Sequence, residues 1–167
     1  MIKKKCSKCG EEKLASSFFK SKVYKSGLAC SCIECAHIYM NKYQHSKAGV
    51  SKNMYHCQRA NSKPRGDVPP SYTRLEFNEW LNNQPNFDAL YLNWINSGYN
   101  IYKKPSCDRL DDYKPYTLDN IRLVTWRENL DRCASDQKNG INTKRAKSVV
   151  CLDKNNNIVK TYYSMSQ

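Results

Sequence analysis

The sequence predicts an α+β fold built from small modules rather than around one large core. Three observations predict it. Two Cys-x-x-Cys pairs, Cys6/Cys9 and Cys32/Cys35, stand in one short basic segment. From Ser106 to Asn129 the pattern reads strand, turn, strand, helix. A second strand–turn–strand pattern closes the chain, over 148–163. Only 40% of the 167 residues are apolar, while twelve tyrosines and three tryptophans supply material for small aromatic cores.

The charge balance narrows the partner. Lys and Arg number 28 against 15 Asp and Glu, a net charge of +13. Such an excess favours a polyanion, with nucleic acid ahead of a membrane surface. No apolar run approaches the length of a membrane span, and the basic start Met1-Ile2-Lys3-Lys4-Lys5 has no apolar segment behind it. The expected compartment is therefore a reducing cytoplasm, where nine cysteines point to metal binding rather than disulfides.

The first module spans 1–45. Cys6-Ser7-Lys8-Cys9-Gly10 is a metal knuckle, its glycine allowing the tight turn that aims backbone amides at the sulfurs. Cys32-Ile33-Glu34-Cys35 supplies the second pair. Two such pairs make a closed, tetrahedral and therefore structural zinc site. Cys30, two residues before Cys32, is an alternative ligand. The singly spaced Cys57, Cys107, Cys133 and Cys151 read as small buried thiols. Phe18 and Phe19 are placed to cover the metal, and Ile38, Tyr39, Lys42 and Tyr43 recur at helical spacing.

Residues 46–71 read as a basic linker. Gly49, Lys63-Pro64-Arg65-Gly66 and Val68-Pro69-Pro70-Ser71 break helices and carry positive charge. The stretch is either solvated or a strap along phosphates. Phosphate contact needs only charge and reach, so Lys63 and Arg65 are candidate DNA contacts.

The next module, 72–135, opens with Thr73-Arg74-Leu75-Glu76, a capping box that starts a helix burying Phe77, Trp80 and Leu81. A second helix starts near Pro85-Asn86, buries Phe87, Leu90, Tyr91, Trp94 and Ile95, and stops at Gly98. These aromatics keep helical register and read as core. The first strand covers 107–110, the turn 111–115, and the second strand 120–124, where the two-residue alternation is plain. Thr125-Trp126-Arg127-Glu128 is another capping box, and its helix carries Asn129.

The last module, 136–167, begins with a flexible basic run in which Lys144, Arg145 and Lys147 can lie along phosphates. Strands over 148–153 and 158–163 flank Lys154-Asn155-Asn156-Asn157. Ser164-Met165-Ser166-Gln167 is a helix start with no helix after it, so either the chain is cut here or the module is partial.

The segment from Asp108 to Arg132 resembles the HNH endonucleases, the ββα-metal fold, in particular phage and intron-encoded homing types. The Cys₄ site ahead of an Asp-Arg pair is similar to a rare-cutting HNH restriction enzyme. The tail from Lys147 resembles the first half of a modular DNA-binding domain found with homing nucleases. The resemblance implies a metal-dependent, site-specific endonuclease that hydrolyses phosphodiester bonds of double-stranded DNA, located in the host cytoplasm if phage-encoded. It assigns Asp108 and Asn129 to one divalent cation, usually magnesium, and both are the oxygen donors a hard cation needs. Asn120 matches the asparagine that holds the loop and orients the base, though a plain strand-entry role fits it equally.

One position departs from the pattern. The residue after the acid is usually a histidine that activates water, and here it is Arg109. Guanidinium cannot act as a base near neutral pH, but it can clamp a phosphate oxygen. Tyr116 then becomes the candidate base, with Asp111, Asp112 and His45 as rivals. A catalytically inactive, zinc-containing DNA-binding regulator on the same fold is the alternative, and charge and aromatics do not by themselves separate DNA from RNA.

Overall fold

The computed structural model describes residues 2–144 and 147–162. It is mixed α and β, with five α-helices and four separate two-stranded sheets. Contacts divide the chain into two compact units, Met1–Asn53 and Met54–Gln167. No helix among the described residues is long and apolar enough to cross a membrane.

The first unit is two hairpins and a helix. Strands β1 (Lys3–Lys5) and β2 (Glu12–Leu14) pair antiparallel around the Cys6–Gly10 turn. Gly10 takes φ +76°, a left-handed conformation glycine adopts without cost. Strands β3 (Phe18–Lys20) and β4 (Leu28–Cys32) form the second hairpin, with Phe18 opposite Cys32. Helix α1 (Ile33–His45) starts directly after Cys32. The buried cluster is only Cys6, Phe18 and Cys32, with Leu28 and Cys35 half-buried against it. Phe18 covers the cysteines as expected, whereas Phe19 lies exposed beside the His37 ring. A core this small does not stabilise two isolated hairpins without a further staple.

The expected linker is a helix over most of its length. Helix α2 covers Lys47–Ser62. Ser46 replaces the anticipated break with a cap, its Oγ donating to Tyr43 O at 2.7 Å and accepting from Gly49 N at 3.1 Å. Val50, Met54, Gln58 and Ser62 recur every four residues and all are buried. Two of these four are polar, so the stripe escapes an apolar-periodicity reading. Their oxygens are bonded locally: Gln58 Oε1 accepts from Tyr72 at 2.8 Å, and Ser62 Oγ donates to Gln58 O at 2.8 Å.

In the second unit the predicted capping box appears as read. Helix α3 (Arg74–Asn82) has Thr73 Oγ1 accepting from Glu76 N, and Glu76 accepting in return from Thr73 N at 2.7 Å. Helix α4 (Phe87–Asn96) follows. Phe77, Leu81, Phe87 and Trp94 are buried as core, whereas Trp80, Leu90, Tyr91 and Ile95 of the same expected faces are only half-buried. Tyr72 stacks on Phe77 and Tyr55 packs tilted against both, with centroids 5.8–6.2 Å apart. Strands β5 (Pro105–Arg109) and β6 (Ile121–Thr125) pair antiparallel in continuous register, with Asp108 opposite Arg122. Thr125 and Glu128 form the second capping box at the head of helix α5 (Trp126–Lys138).

Helix α5 runs past the boundary expected at 136. Asp136 pairs with Arg132 one turn earlier, and Gly140 at φ +71° ends the helix. Strands β7 (Val149–Leu152) and β8 (Ile158–Tyr162) form the expected terminal hairpin. Arg145 and the proposed helix start at 164–167 lie outside the described residues. Cys57 and Cys151 are exposed rather than buried.

Candidate functional site

Two constellations stand out, one in each unit. The first is the cysteine cluster. Sγ atoms of Cys6, Cys9, Cys32 and Cys35 all lie within 4.8 Å of one another. Four sulfurs about 2.3 Å from a tetrahedral zinc ion stand about 3.8 Å apart, so the set fits such an ion. The donor chemistry fits as well, since four thiolates close the coordination shell. The knuckle aims backbone donors at sulfur: Cys32 N reaches Cys6 Sγ at 3.2 Å and Lys8 N reaches it at 3.4 Å. Donated chiefly by Cys32 and Cys9, such N–H bonds lower the Cys6 thiol to about 6. Cys35, bonded mainly by Cys32, is pushed up to about 12. Cys30 stands outside the cluster, its sulfur accepting from the Tyr24 hydroxyl at 3.5 Å.

The second constellation is built around Asp108, on the β5 strand. Its carboxylate is buried, and Oδ2 accepts from Arg122 Nε at 3.1 Å and Arg122 Nη2 at 2.9 Å. Arg132 Nε adds a charge contact to the same oxygen at 2.7 Å, without the alignment of a good hydrogen bond. No hydrogen bond among the described residues reaches Asp108 Oδ1. Asn129, on the first turns of α5, donates Nδ2 to Ser106 Oγ at 3.1 Å and to Cys107 O at 3.2 Å. Its side chain therefore sits against the backbone next to Asp108, and its Oδ1 has no partner among the described residues.

The loop between the strands is closed by Asn120. Its Oδ1 accepts from Asp111 N at 2.9 Å, and its Nδ2 donates to Asp111 O at 3.0 Å and Pro115 O at 2.9 Å. The residue is buried, so these bonds are what keep its amide satisfied. Both the loop-holding and the strand-entry readings are realised in the one side chain.

Arg109 is engaged within the fold rather than open to an incoming phosphate. It is buried, with Nη1 on Asp67 Oδ2 at 2.7 Å and on Lys114 O at 3.0 Å. Its guanidinium lies over the Tyr116 ring, 5.1 Å from the centroid. The Tyr116 hydroxyl accepts from Arg65 Nη1 at 2.8 Å. Arg65, read as a phosphate contact, thus has a partner of its own, while Lys63 and Lys147 are exposed. Lys144, also read as a DNA contact, is exposed but lies on Asp67 at 3.4 Å and over the Tyr113 ring at 5.3 Å. Asp111 pairs with Lys114 at 3.6 Å, and Asp112 meets Arg109, Arg132 and Asn142, the last at 2.6 Å. His45 belongs to the other unit.

Three participants were not read from the sequence: Asp67, Arg122 and Arg132. Arg132 ties α5 to the loop, contacting Asp108, Asp112 and Asp136 and donating to the carbonyls of Arg109 and Leu110. Helical spacing held its signal, because Asn129, Arg132 and Asp136 share one face of α5. Arg122 follows from the Asp108 register, which the turn length sets. Nothing in the sequence around Asp67 marks it.

No family model matches the chain, and neither a curated protein nor a solved structure matches it.

Proposed function

We propose that the chain is a metal-dependent DNA endonuclease with an HNH, or ββα-metal, centre formed by β5, β6 and α5. The observation that carries the reading is the convergence at Asp108. A strand carboxylate keeps one oxygen clear of hydrogen bonds, and a helix asparagine beside it keeps its carbonyl oxygen clear as well. Two oxygen donors fit a hard divalent cation such as magnesium. Bound there, the ion would neutralise the scissile phosphate and stabilise the leaving 3′ oxygen.

The remaining chemistry belongs to the side chains. Arg122 and Arg132 hold Asp108 in place and bring positive charge next to the phosphate. Asn120 fixes the 110–120 loop, which carries the buried Tyr116. As the phenolate, Tyr116 takes the proton of the attacking water and becomes the neutral phenol. Arg109, fixed by Asp67, positions the Tyr116 ring from one face and Arg65 holds its hydroxyl. The Cys₄ site holds its zinc for structure, with no open coordination position.

The second reading is an inactive DNA-binding regulator. One observation favours it: two arginines on one carboxylate oxygen also describe a purely structural ion-pair network. Incubation with supercoiled plasmids bearing random inserts separates the two. Magnesium-dependent nicking that disappears in Asp108→Asn supports the endonuclease. Full-affinity binding with no strand break at any divalent ion supports the regulator.

A further inference from the structure

The positive charge is distributed unevenly along the chain. Residues 2–53 hold eleven lysines and three glutamates. Residues 54–135, which contain the Asp108 cluster, hold eleven Lys and Arg against ten Asp and Glu. The polyanion-binding charge of the first unit is therefore disproportionate, and its side chains show where it goes.

Lys13 consumes most of the acidity, reaching Glu34 at 2.7 Å and Glu11 at 3.1 Å. Lys4 is spent inside the unit: Nζ donates to Ser26 Oγ at 3.0 Å and Leu28 O at 2.9 Å, beneath the Phe18 and Tyr24 rings. That clamp ties β1 to the β3–β4 hairpin. The hairpin end is itself fixed, with Ser21 N on Gly27 O and Gly27 N on Tyr24 O, both at 2.8 Å, and Gly27 at φ +68°. From this rigid tip Lys20, Lys22 and Lys25 are exposed and make no ion pair among the described residues. Val23 between them is 88% exposed. An apolar side chain held out on an ordered, cationic ribbon buries nothing in its own fold.

We propose that the β3–β4 hairpin enters the major groove of duplex DNA. Lys20, Lys22 and Lys25 bond to the flanking phosphates, and Val23 meets base edges, where a thymine methyl is the complementary apolar group. The groove is about 12 Å wide and admits a two-stranded ribbon. The lysines give affinity, and the valine contact gives a modest base preference. This rests on the proposed nuclease only for the choice of DNA as the polyanion.

The test is equilibrium binding of the full chain, zinc-loaded and without magnesium, to a fluorescent duplex across a salt series. Each lost phosphate contact reduces the slope of log affinity against log salt by about 0.9, so the triple variant Lys20→Ala, Lys22→Ala, Lys25→Ala should lose about 2.7. Val23→Ser should weaken binding several-fold at unchanged slope. Methyl green in the major groove should compete, and netropsin in the minor groove should not. An unchanged slope in a triple variant that retains zinc overturns the proposal, and so does competition by netropsin alone. A larger loss on anionic vesicles or on duplex RNA than on DNA overturns the choice of partner. Because cutting is not measured, a chain that binds in this way yet never nicks DNA sinks the nuclease reading and leaves the hairpin assignment standing. A chain that nicks with an unchanged slope does the reverse.

Discussion

Tyr116→Phe removes one oxygen and keeps the ring, so its effects on folding and on chemistry separate by magnitude. The lost atom accepts a single hydrogen bond, from Arg65 at 2.8 Å. A bond to a charged donor contributes about 1.5–3 kcal/mol when sequestered, but Arg65 is exposed and rejoins water when the acceptor is removed. The folding cost is therefore about 1 kcal/mol, against the 5–15 kcal/mol typical of a folded domain. The ring still packs under Arg109, so the buried stacking contact survives. Thermal unfolding should shift by only a few degrees. If the phenol is the general base, single-turnover nicking with saturating magnesium should slow by about a hundredfold, or about 2.7 kcal/mol in the barrier. A fold that loses about 1 kcal/mol cannot account for that rate. Arg65→Ala separates the two effects, because it should reproduce the small stability loss and slow cutting less than loss of the phenol oxygen itself. Normal cutting by Tyr116→Phe would refute the assignment and turn attention to Asp111 and Asp112.

Three further outcomes follow from the same geometry. Strong chelation should unfold the first unit, whose buried cluster is three residues, and release about one zinc per chain in a metal assay; a zinc-free preparation with native circular dichroism would count against it. Gly49→Ala should destabilise by about 1–3 kcal/mol, measured by urea titration, although alanine ordinarily improves a helix, because the added methyl overlaps the Tyr43 carbonyl oxygen and lies 2.8 Å from its carbon. Asp108→Asn should abolish nicking and retain duplex affinity, while Asp108→Ala should in addition lower the melting temperature, since it leaves Arg122 and Arg132 without any acceptor oxygen; equal melting temperatures for the two variants would show that this oxygen contributes nothing to stability.

Much of the fold was legible because local signals were strong. Both capping boxes start helices, Gly98 lies just past a helix end in left-handed backbone, and the Cys pairs converge. The 47–62 helix was not legible, because Gln58 and Ser62 fill core positions through hydrogen bonds rather than apolar surface. In the candidate site, Asp108, Asn120 and Asn129 were picked out through the resemblance to the HNH motif. Their partners were not, because a pairing such as Arg109–Asp67 joins residues forty-two positions apart and depends on tertiary packing. Arg109 itself could be assigned a charge from the sequence but not a partner, so a phosphate clamp and a buried ion pair were indistinguishable.

On the endonuclease reading, Arg109 stands where the HNH resemblance leads one to expect a histidine, and its surroundings bear on that difference. Guanidinium cannot accept the proton of a water, so a centre with Arg109 must place that task elsewhere or leave it undone. Arg109 is buried between a carboxylate and a phenol ring, with its charge balanced by Asp67. A cation there organises Tyr116 without exposing net charge, and the same economy extends outward: Arg132 is matched by Asp108, Asp112 and Asp136, and Lys144 by Asp67. Residues 54–135 are consequently close to neutral, while the segments before and after them carry most of the excess of +13. On the endonuclease reading, salt-sensitive affinity then resides in the flanking segments and bond-breaking in the balanced centre. Substitutions among the exposed lysines should act on binding, and those around Asp108 on rate, with little exchange between the two.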